Sequence, residues 1–479
     1  MNFRVGVKID AHGKFIFLTL LLAIIIRIYF CLDGSKFYFG DVVYTWKDTY
    51  TYLDAFKNWI FHDSFQFDLN EPDSRFFRPP VYPFFLGFFY VICDNYEKLV
   101  AFTQVAIDAV SCAIFYAIIL RLSASKIFAA VGALTYATYP FLIVWVPILY
   151  TEVLIVHLSL WVIYLSVGES ARKKRAFFVV GVLIGLLVLT KQYMALIFIV
   201  PASILVLEKI SIKAKLKFFG VLLAGMALVL SPWVARNYLV SGKPILLRGE
   251  STGIVYYGKD FEAFERFANL FDQNVTPHWS SIAHSGVINF DWRPRFLDDH
   301  GEEVSQAARL ANRCGPSFMA LRGVERDEIV LVACTEAVVS SFNKLKQFAH
   351  QEMQFQDLIK TRVDAVSKLF IGNMLTDDSF VKVVLYAYRF FLVTLGFAVC
   401  VIYLFRAKNR SRTPLAALFL AWCAFSLMFS VYFVHVEIRY MLIPDLIMFV
   451  LLFSMLGALH SSRYNSKLNA LKSIDSCVA

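Results

Sequence analysis

Apolar stretches of near-membrane length recur along this chain, separated mostly by short polar pieces. A helix needs about 20 mostly apolar residues to cross a bilayer. Stretches near residues 15–32, 99–120, 127–148, 152–167, 176–190, 193–207, 218–235, 380–405, 415–433 and 440–460 meet or approach that length, and they predict ten transmembrane helices. A further apolar piece, 81–93, is too short to cross comfortably and follows Arg78-Pro79-Pro80. Two long intervals break the series. One is 33–98, which contains that short piece. The other is the polar segment 237–379, in which 338–370 repeats apolar positions at helical spacing.

Charge orients the spans. Arg4, Lys8 and Lys14 precede the first one, so the N-terminus is expected in the cytoplasm. The run is long and no small-x-small cleavage site follows, which predicts an uncleaved anchor. Suppose 81–93 lies flat on the outer face. Then Arg121 and Lys126, Arg172-Lys173-Lys174-Arg175, and the basic tracts in 209–217, 406–412 and 463–467 all fall on the side of the N-terminus. If 81–93 spans instead, every one of these later clusters flips outward. The positive-inside rule selects the first arrangement and makes 81–93 an interfacial helix. The expected organisation is an N-terminal transmembrane catalytic module 1–236 with an outer first loop 33–98. An outer-face soluble domain 237–379 follows, then C-terminal transmembrane helices and a cytoplasmic tail, 380–479.

Composition narrows the class. Of 479 residues, 58% are apolar and 18% charged, where soluble domains carry roughly 45–50% and 25%. Disordered chains, collagens, secreted disulfide scaffolds and ordinary cytosolic enzymes are excluded, which leaves an all-α polytopic membrane protein. The net charge of +10 suits basic cytoplasmic loops rather than nucleic acid. Cys314 and Cys334 both fall in the outer segment, where a disulfide between them is an open expectation. The nine His residues show no metal spacing, and His435 and Glu437 are too close in sequence to share a helical face. No cofactor is firmly implied, and a divalent metal has no support in the sequence.

Short cytoplasmic loops leave no room for a catalytic domain, so chemistry is expected at the outer face. The first loop offers Asp48, in Asp48-Thr49-Tyr50-Thr51-Tyr52, with Asp41 and Asp54 as competitors of equal rank on residue type. Glu152 begins an outer-to-inner span. It reads either as a first-turn acid meeting the helix dipole or as a second carboxylate facing Asp48 across a cavity. Arg78, Lys191, Arg236 and Arg439 stand at outer ends of spans, where the positive-inside bias leaves few cations. They read as snorkelling side chains or as an anion site. Arg27 and Asp108 lie inside spans and are expected to pair with each other or with a neighbour.

In order along the chain these pieces resemble a known family. They are Asp48-Thr49-Tyr50, Arg78-Pro79-Pro80-Val81-Tyr82-Pro83, Tyr150-Thr151-Glu152, and Gly181 to Gly185 leading to Leu189-Thr190-Lys191. Pro232-Trp233-Val234-Ala235-Arg236-Asn237, Gly242-Lys243-Pro244 and Arg439-Tyr440-Met441-Leu442-Ile443-Pro444 complete the series. The chain resembles the GT-C glycosyltransferases of family 39, the superfamily of protein O-mannosyltransferases and lipid A aminoarabinose transferases. The resemblance implies a GT-C-like bundle in the bacterial cell membrane, with both termini cytoplasmic. It also implies inverting transfer of one sugar from a polyprenyl-phosphate carrier to a glycan, glycolipid or protein acceptor at the outer face. By the same resemblance Asp48 occupies the place of the base and Glu152 that of the second acid. Arg78, Lys191, Arg236 and Arg439 occupy places near the carrier phosphate. The chain departs from the family in having Asp48-Thr49 for the common Asp-Glu pair, and Phe77 where the aminoarabinose enzymes carry Glu. An O-antigen-type glycan polymerase and a lipid-linked glycan flippase remain as alternatives. The flippase would need polar or charged residues through the middle of several spans, and only Arg27, Gln104 and Asp108 stand out there.

Overall fold

The computed structural model describes residues 11–36, 43–45, 48–69, 75–76, 78–168, 173–242, 245–246, 340, 379–406, 412–429 and 438–478. Among these residues the architecture is all-helical. The helices are α1 Ala11–Tyr29, α2 Thr49–His62, α3 Val81–Ile92, α4 Tyr96–Ser123, α5 Lys126–Thr138 and α6 Glu152–Ser166. They continue with α7 Lys174–Val188, α8 Ile199–Leu207, α9 Ile212–Ser241, α10 Ser379–Arg406, α11 Arg412–Leu427 and α12 Leu442–Val478. Almost all of the expected outer domain 237–379, together with Asp41, Phe77, Cys314, Cys334, His435 and Glu437, lies outside the described residues.

Among the described residues five segments are long and apolar enough to cross a membrane on their own: His12–Gly34, Tyr96–Ser123, Ile212–Ser241, Val383–Tyr403 and Arg439–Ser461. The other apolar helices are shorter. At 1.5 Å per residue, a 15-residue helix such as α6 or α7 falls several ångströms short of the ~30 Å hydrocarbon core. Such helices are accommodated because their ends run into protein. α6 packs on α4 and α7, and α7 packs on α9, while the first turns of α12, Leu442 to Leu452, are almost wholly buried among α4, α5, α10 and α11. The piece 81–93 forms the 12-residue α3, which buries Tyr82, Pro83, Leu86 and Gly87 on one face.

The expected span 127–148 is not one helix. α5 ends at Thr138, Tyr139 is extended (φ −71°, ψ 108°), and Pro140–Ile143 forms a single turn. Proline disfavours helical backbone in the residue before it and lacks the N–H that would bond Tyr136 O. Tyr136 O takes the Tyr139 N–H at 3.3 Å instead, and the carbonyls at this end also find a cation: Arg27 donates to Tyr136 O at 3.3 Å and to Ala137 O. Its charge is balanced by Asp108, 2.6 Å from Arg27 Nε, which also accepts the Tyr136 hydroxyl at 2.7 Å. The expected pairing of Arg27 with Asp108 is thus present. Beyond the turn, Phe141 to Thr151 is buried throughout without forming a long helix. Non-helical backbone is tolerated at membrane depth only where protein or a water-lined cavity surrounds it.

The Gly181–Gly185 motif has a packing cause. A methyl group on Gly181 would sit 2.1 Å from Leu222 O, and one on Gly225 would sit 2.3 Å from Phe178 O. α7 and α9 therefore touch backbone to backbone, as small residues permit in membranes. α9 is bounded by Ser211, whose Oγ accepts the Ala214 N–H at 3.3 Å, and by Gly242 at φ +65°. This framework gives the bundle two chemically different ends. Lys174, Lys213 and Arg121 lie at one end, and Ser461 meets Ser123 there. Glu152, Lys191 and the Arg236 end of α9 lie at the other.

Candidate active site

Asp48 immediately precedes α2. Its N–H donates to the Tyr150 hydroxyl at 2.9 Å, and its carbonyl accepts the Thr51 hydroxyl at 2.7 Å. The carboxylate turns towards two guanidinium groups. Arg78 Nη2 reaches Oδ1 at 3.1 Å, and Arg439 Nη2 reaches Oδ2 at 3.4 Å. Arg78 is seated by its own contacts: Nε donates to Thr51 Oγ1 at 2.9 Å, Nη1 donates to the Tyr52 hydroxyl at 3.2 Å, and its guanidinium carbon lies 4.3 Å from the centre of the Tyr52 ring. The two prolines after Arg78 lead into α3, and the Val81 N–H donates to Leu189 O at 3.1 Å. That bond sets Arg78 beside the end of α7, where Lys191 follows.

Glu152 is the first residue of α6, and Lys191 Nζ donates to its Oε1 at 3.0 Å. Arg439, in a short 3-10 turn ahead of α12, places Nε 3.8 Å from the same oxygen. Arg439 thus spans both acids. Three cations face two carboxylates, leaving one positive charge in excess. The two acids differ in access: the Asp48 side chain is 35% exposed and that of Glu152 only 1%. Burial works most strongly against the charge on Lys191, but the Glu152 carboxylate together with Tyr193 and Tyr52 outweighs it and holds the ammonium above the usual Lys range.

Aromatic rings wall the cations. The Arg439 guanidinium lies 4.9 Å from the Tyr150 ring centre, 5.5 Å from Trp145 and 5.4 Å from Tyr440. Lys191 lies 5.0 Å from Tyr440 and 5.5 Å from Tyr193. Ring faces attract cations, and apolar walls strengthen every charge contact between them. Burial raises the Tyr150 hydroxyl above the usual Tyr range, so it stays protonated beside Asp48.

The structure therefore brings Asp48, Arg78, Glu152, Lys191 and Arg439 together. It sets Arg236 on other partners. Arg236 Nη1 donates to Arg75 O at 2.8 Å and Asn237 Oδ1 at 3.0 Å, Nη2 donates to Phe65 O at 3.0 Å, and the guanidinium lies 4.9 Å from the Trp233 ring centre. These contacts tie the first loop to α9. Asp54 lies further along α2, 3.9 Å from Lys57 Nζ. Among the described residues no three His, Cys, Asp or Glu side chains converge to hold a metal. Sequence reasoning gave no role to Tyr150, Trp145, Tyr193 and Tyr440. In a chain with 16% aromatic residues, their composition carries no signal. The adjacency of Thr51 and Tyr52 to Asp48 was the available hint for those two.

Residues 77–235 match the family described as dolichyl-phosphate-mannose-protein mannosyltransferase. The matched stretch contains Arg78, Glu152 and Lys191, and stops short of Asp48 on one side and Arg439 on the other. No match was found among curated proteins. The family match indicates a membrane glycosyltransferase of GT-C type.

Proposed function

We propose that this protein moves one sugar from a polyprenyl-phosphate carrier to a hydroxyl or amine acceptor at the outer face of the bacterial inner membrane, with inversion. The observation that carries the reading is the five-residue cluster itself: one accessible and one buried carboxylate, both met by Arg439, with Arg78 and Lys191 as the other two cations. A carrier phosphodiester brings one negative charge, which matches the single positive excess. Guanidinium forks suit phosphate oxygens. A phosphate that takes over hydrogen bonds from Arg78 and Arg439 frees Asp48 to accept the acceptor's proton. The acceptor oxygen or nitrogen then bonds to the sugar's anomeric carbon as the bond from that carbon to the phosphate oxygen breaks. The electron pair leaves with the phosphate, and the fixed cations stabilise the growing charge. Glu152, buried against Lys191, is the residue that orients the cations. Arg236 enters as a brace of the first loop.

Sidedness follows from charge. The site lies at the end of the bundle away from Lys174, Lys213 and Arg121, and the positive-inside rule puts that basic end in the cytoplasm. Both termini are read as cytoplasmic on the same ground.

The test is transfer by the purified protein from a panel of radiolabelled polyprenyl-phosphate monosaccharides to envelope glycolipid or glycan acceptors. It is paired with mass spectrometry of envelope glycans from a deletion strain. The expected results are carrier-dependent transfer and one missing sugar. Asp48→Asn should lose turnover by about 10²–10⁴-fold while still inserting and folding. Transfer of preassembled units from a diphosphate carrier would identify a polymerase instead. Movement of the intact lipid without transfer would identify a flippase.

A further inference from the structure

Gln104 sits in the first third of α4, 1% exposed. Its carboxamide is used on both sides. Nε2 donates to Val146 O at 2.8 Å and to Ile148 O at 2.9 Å, while Oε1 accepts the Tyr82 hydroxyl at 3.0 Å. The assignment of N and O is fixed by these partners, because a flipped amide would aim its oxygen at two carbonyls. A buried polar group is expected to be satisfied, yet an apolar residue at 104 would need no satisfying. What the amide holds explains its presence: the irregular backbone of 144–150, whose own bonds are turn bonds such as Tyr150 N–H to Ile148 O at 2.7 Å rather than a continuous helical ladder.

That same backbone forms one side of the site. The Leu149 N–H donates to Tyr44 O at 2.8 Å, the Thr49 hydroxyl donates to Leu149 O at 3.4 Å, and the Asp48 N–H donates to the Tyr150 hydroxyl at 2.9 Å. Trp145 and Tyr150, their rings stacked at 12°, lie beside the Arg439 guanidinium. Glu152 begins two residues after Tyr150. Tyr82 adds a second link, since it lies in α3 next to the turn that seats Arg78.

We propose that Gln104 is a positioning residue. By clamping Val146 and Ile148 from α4, it fixes the template on which the first loop docks and so sets where Asp48 stands relative to Glu152 and Arg439. The inference rests on the reading of Asp48 as the base. A displacement of about 1 Å in a reacting group costs on the order of 100-fold in rate, so an indirect contact of this kind can govern turnover.

Two measurements on the full-length protein test it. Gln104→Met keeps the volume and removes both donors, and Tyr82→Phe removes one hydroxyl and serves as the milder variant. Amide hydrogen exchange over 43–52 and 144–151 should speed by at least about tenfold in Gln104→Met and less in Tyr82→Phe, with exchange elsewhere in α4 and α12 unchanged. In transfer assays kcat should fall by about ten- to a hundredfold while the KM for the lipid donor stays within about threefold. Unchanged exchange in both segments overturns the inference. So does faster exchange with full turnover, or a rise in KM at constant kcat. If Gln104→Met does not insert, Tyr82→Phe decides by the same criteria. If the unmodified protein transfers no sugar, the functional reading falls, and the exchange measurement still decides whether Gln104 places the first loop.

Discussion

Among the described residues two kinds of charge cluster can be compared, and they behave differently. In the bundle interior Arg27 pairs with Asp108, and Arg389 pairs with Asp445 through two bonds of 2.7 and 3.0 Å. Each of these is one cation against one acid with a tyrosine hydroxyl added, Tyr136 in the first and Tyr139 in the second. All four charged side chains are at most 1% exposed. At the site the same residue types meet at similar distances, but three cations share two acids and Asp48 stays open to the surroundings. A balanced, sealed pair has nothing left to offer a ligand. An unbalanced, accessible cluster has both charge and room. Charge excess and exposure, rather than residue identity, separate the site from the scaffold. Both scaffold clusters hold the interrupted end of α5, Arg27 through backbone carbonyls and Asp445 through Tyr139.

The comparison can be broken by variants that should divide into loss of activity and loss of stability. The largest effect at the site after removal of Asp48 is expected for Glu152→Gln, which frees Lys191 and Arg439 from their shared anchor. Turnover should fall by about 100-fold in transfer assays, with the folded fraction on size-exclusion chromatography unchanged. On the scaffold side, Asp108→Ala leaves Arg27 buried without its carboxylate and should cost about 3–5 kcal/mol, read as a lowered thermal midpoint in detergent. The double change Arg27→Met with Asp108→Leu should recover part of that loss, because it removes both charges, though Ala137 O then loses the Arg27 donor and Tyr136 O keeps only the Tyr139 N–H. Specific activity per folded molecule should be retained in both. Arg78→Ala should raise the apparent KM for the lipid donor by about ten- to a hundredfold, since one charged hydrogen bond is worth about 1.5–3 kcal/mol. An unchanged KM would remove Arg78 from the phosphate site. The smallest effect is expected for Asp54→Asn, which should leave turnover within about twofold and separate this acid from its neighbour Asp48.

Much of the architecture was legible without coordinates. Apolar run length defined a helical membrane protein, the basic tracts marked one end of the bundle, and the charged residues at the far ends of spans pointed to the other. Arg27 with Asp108 could be anticipated because two opposite charges in apolar stretches have few alternatives. These readings are local or compositional, and chain order carries them. What the tertiary structure decided depends on contacts between distant segments. Arg439 reaches Asp48 across 391 positions, and no periodicity encodes that distance. Pro140 was visible in the sequence, but a proline inside an apolar run is compatible with a kinked span as well as a break. Only the packing of Arg27, Gln104 and Asp445 around 136–150 made the break affordable. Arg236 and Glu152 looked equivalent to their neighbours as charges at helix ends. Their separation into a brace and a buried anchor came from which carbonyls, rings and ammonium group the folded bundle placed beside them.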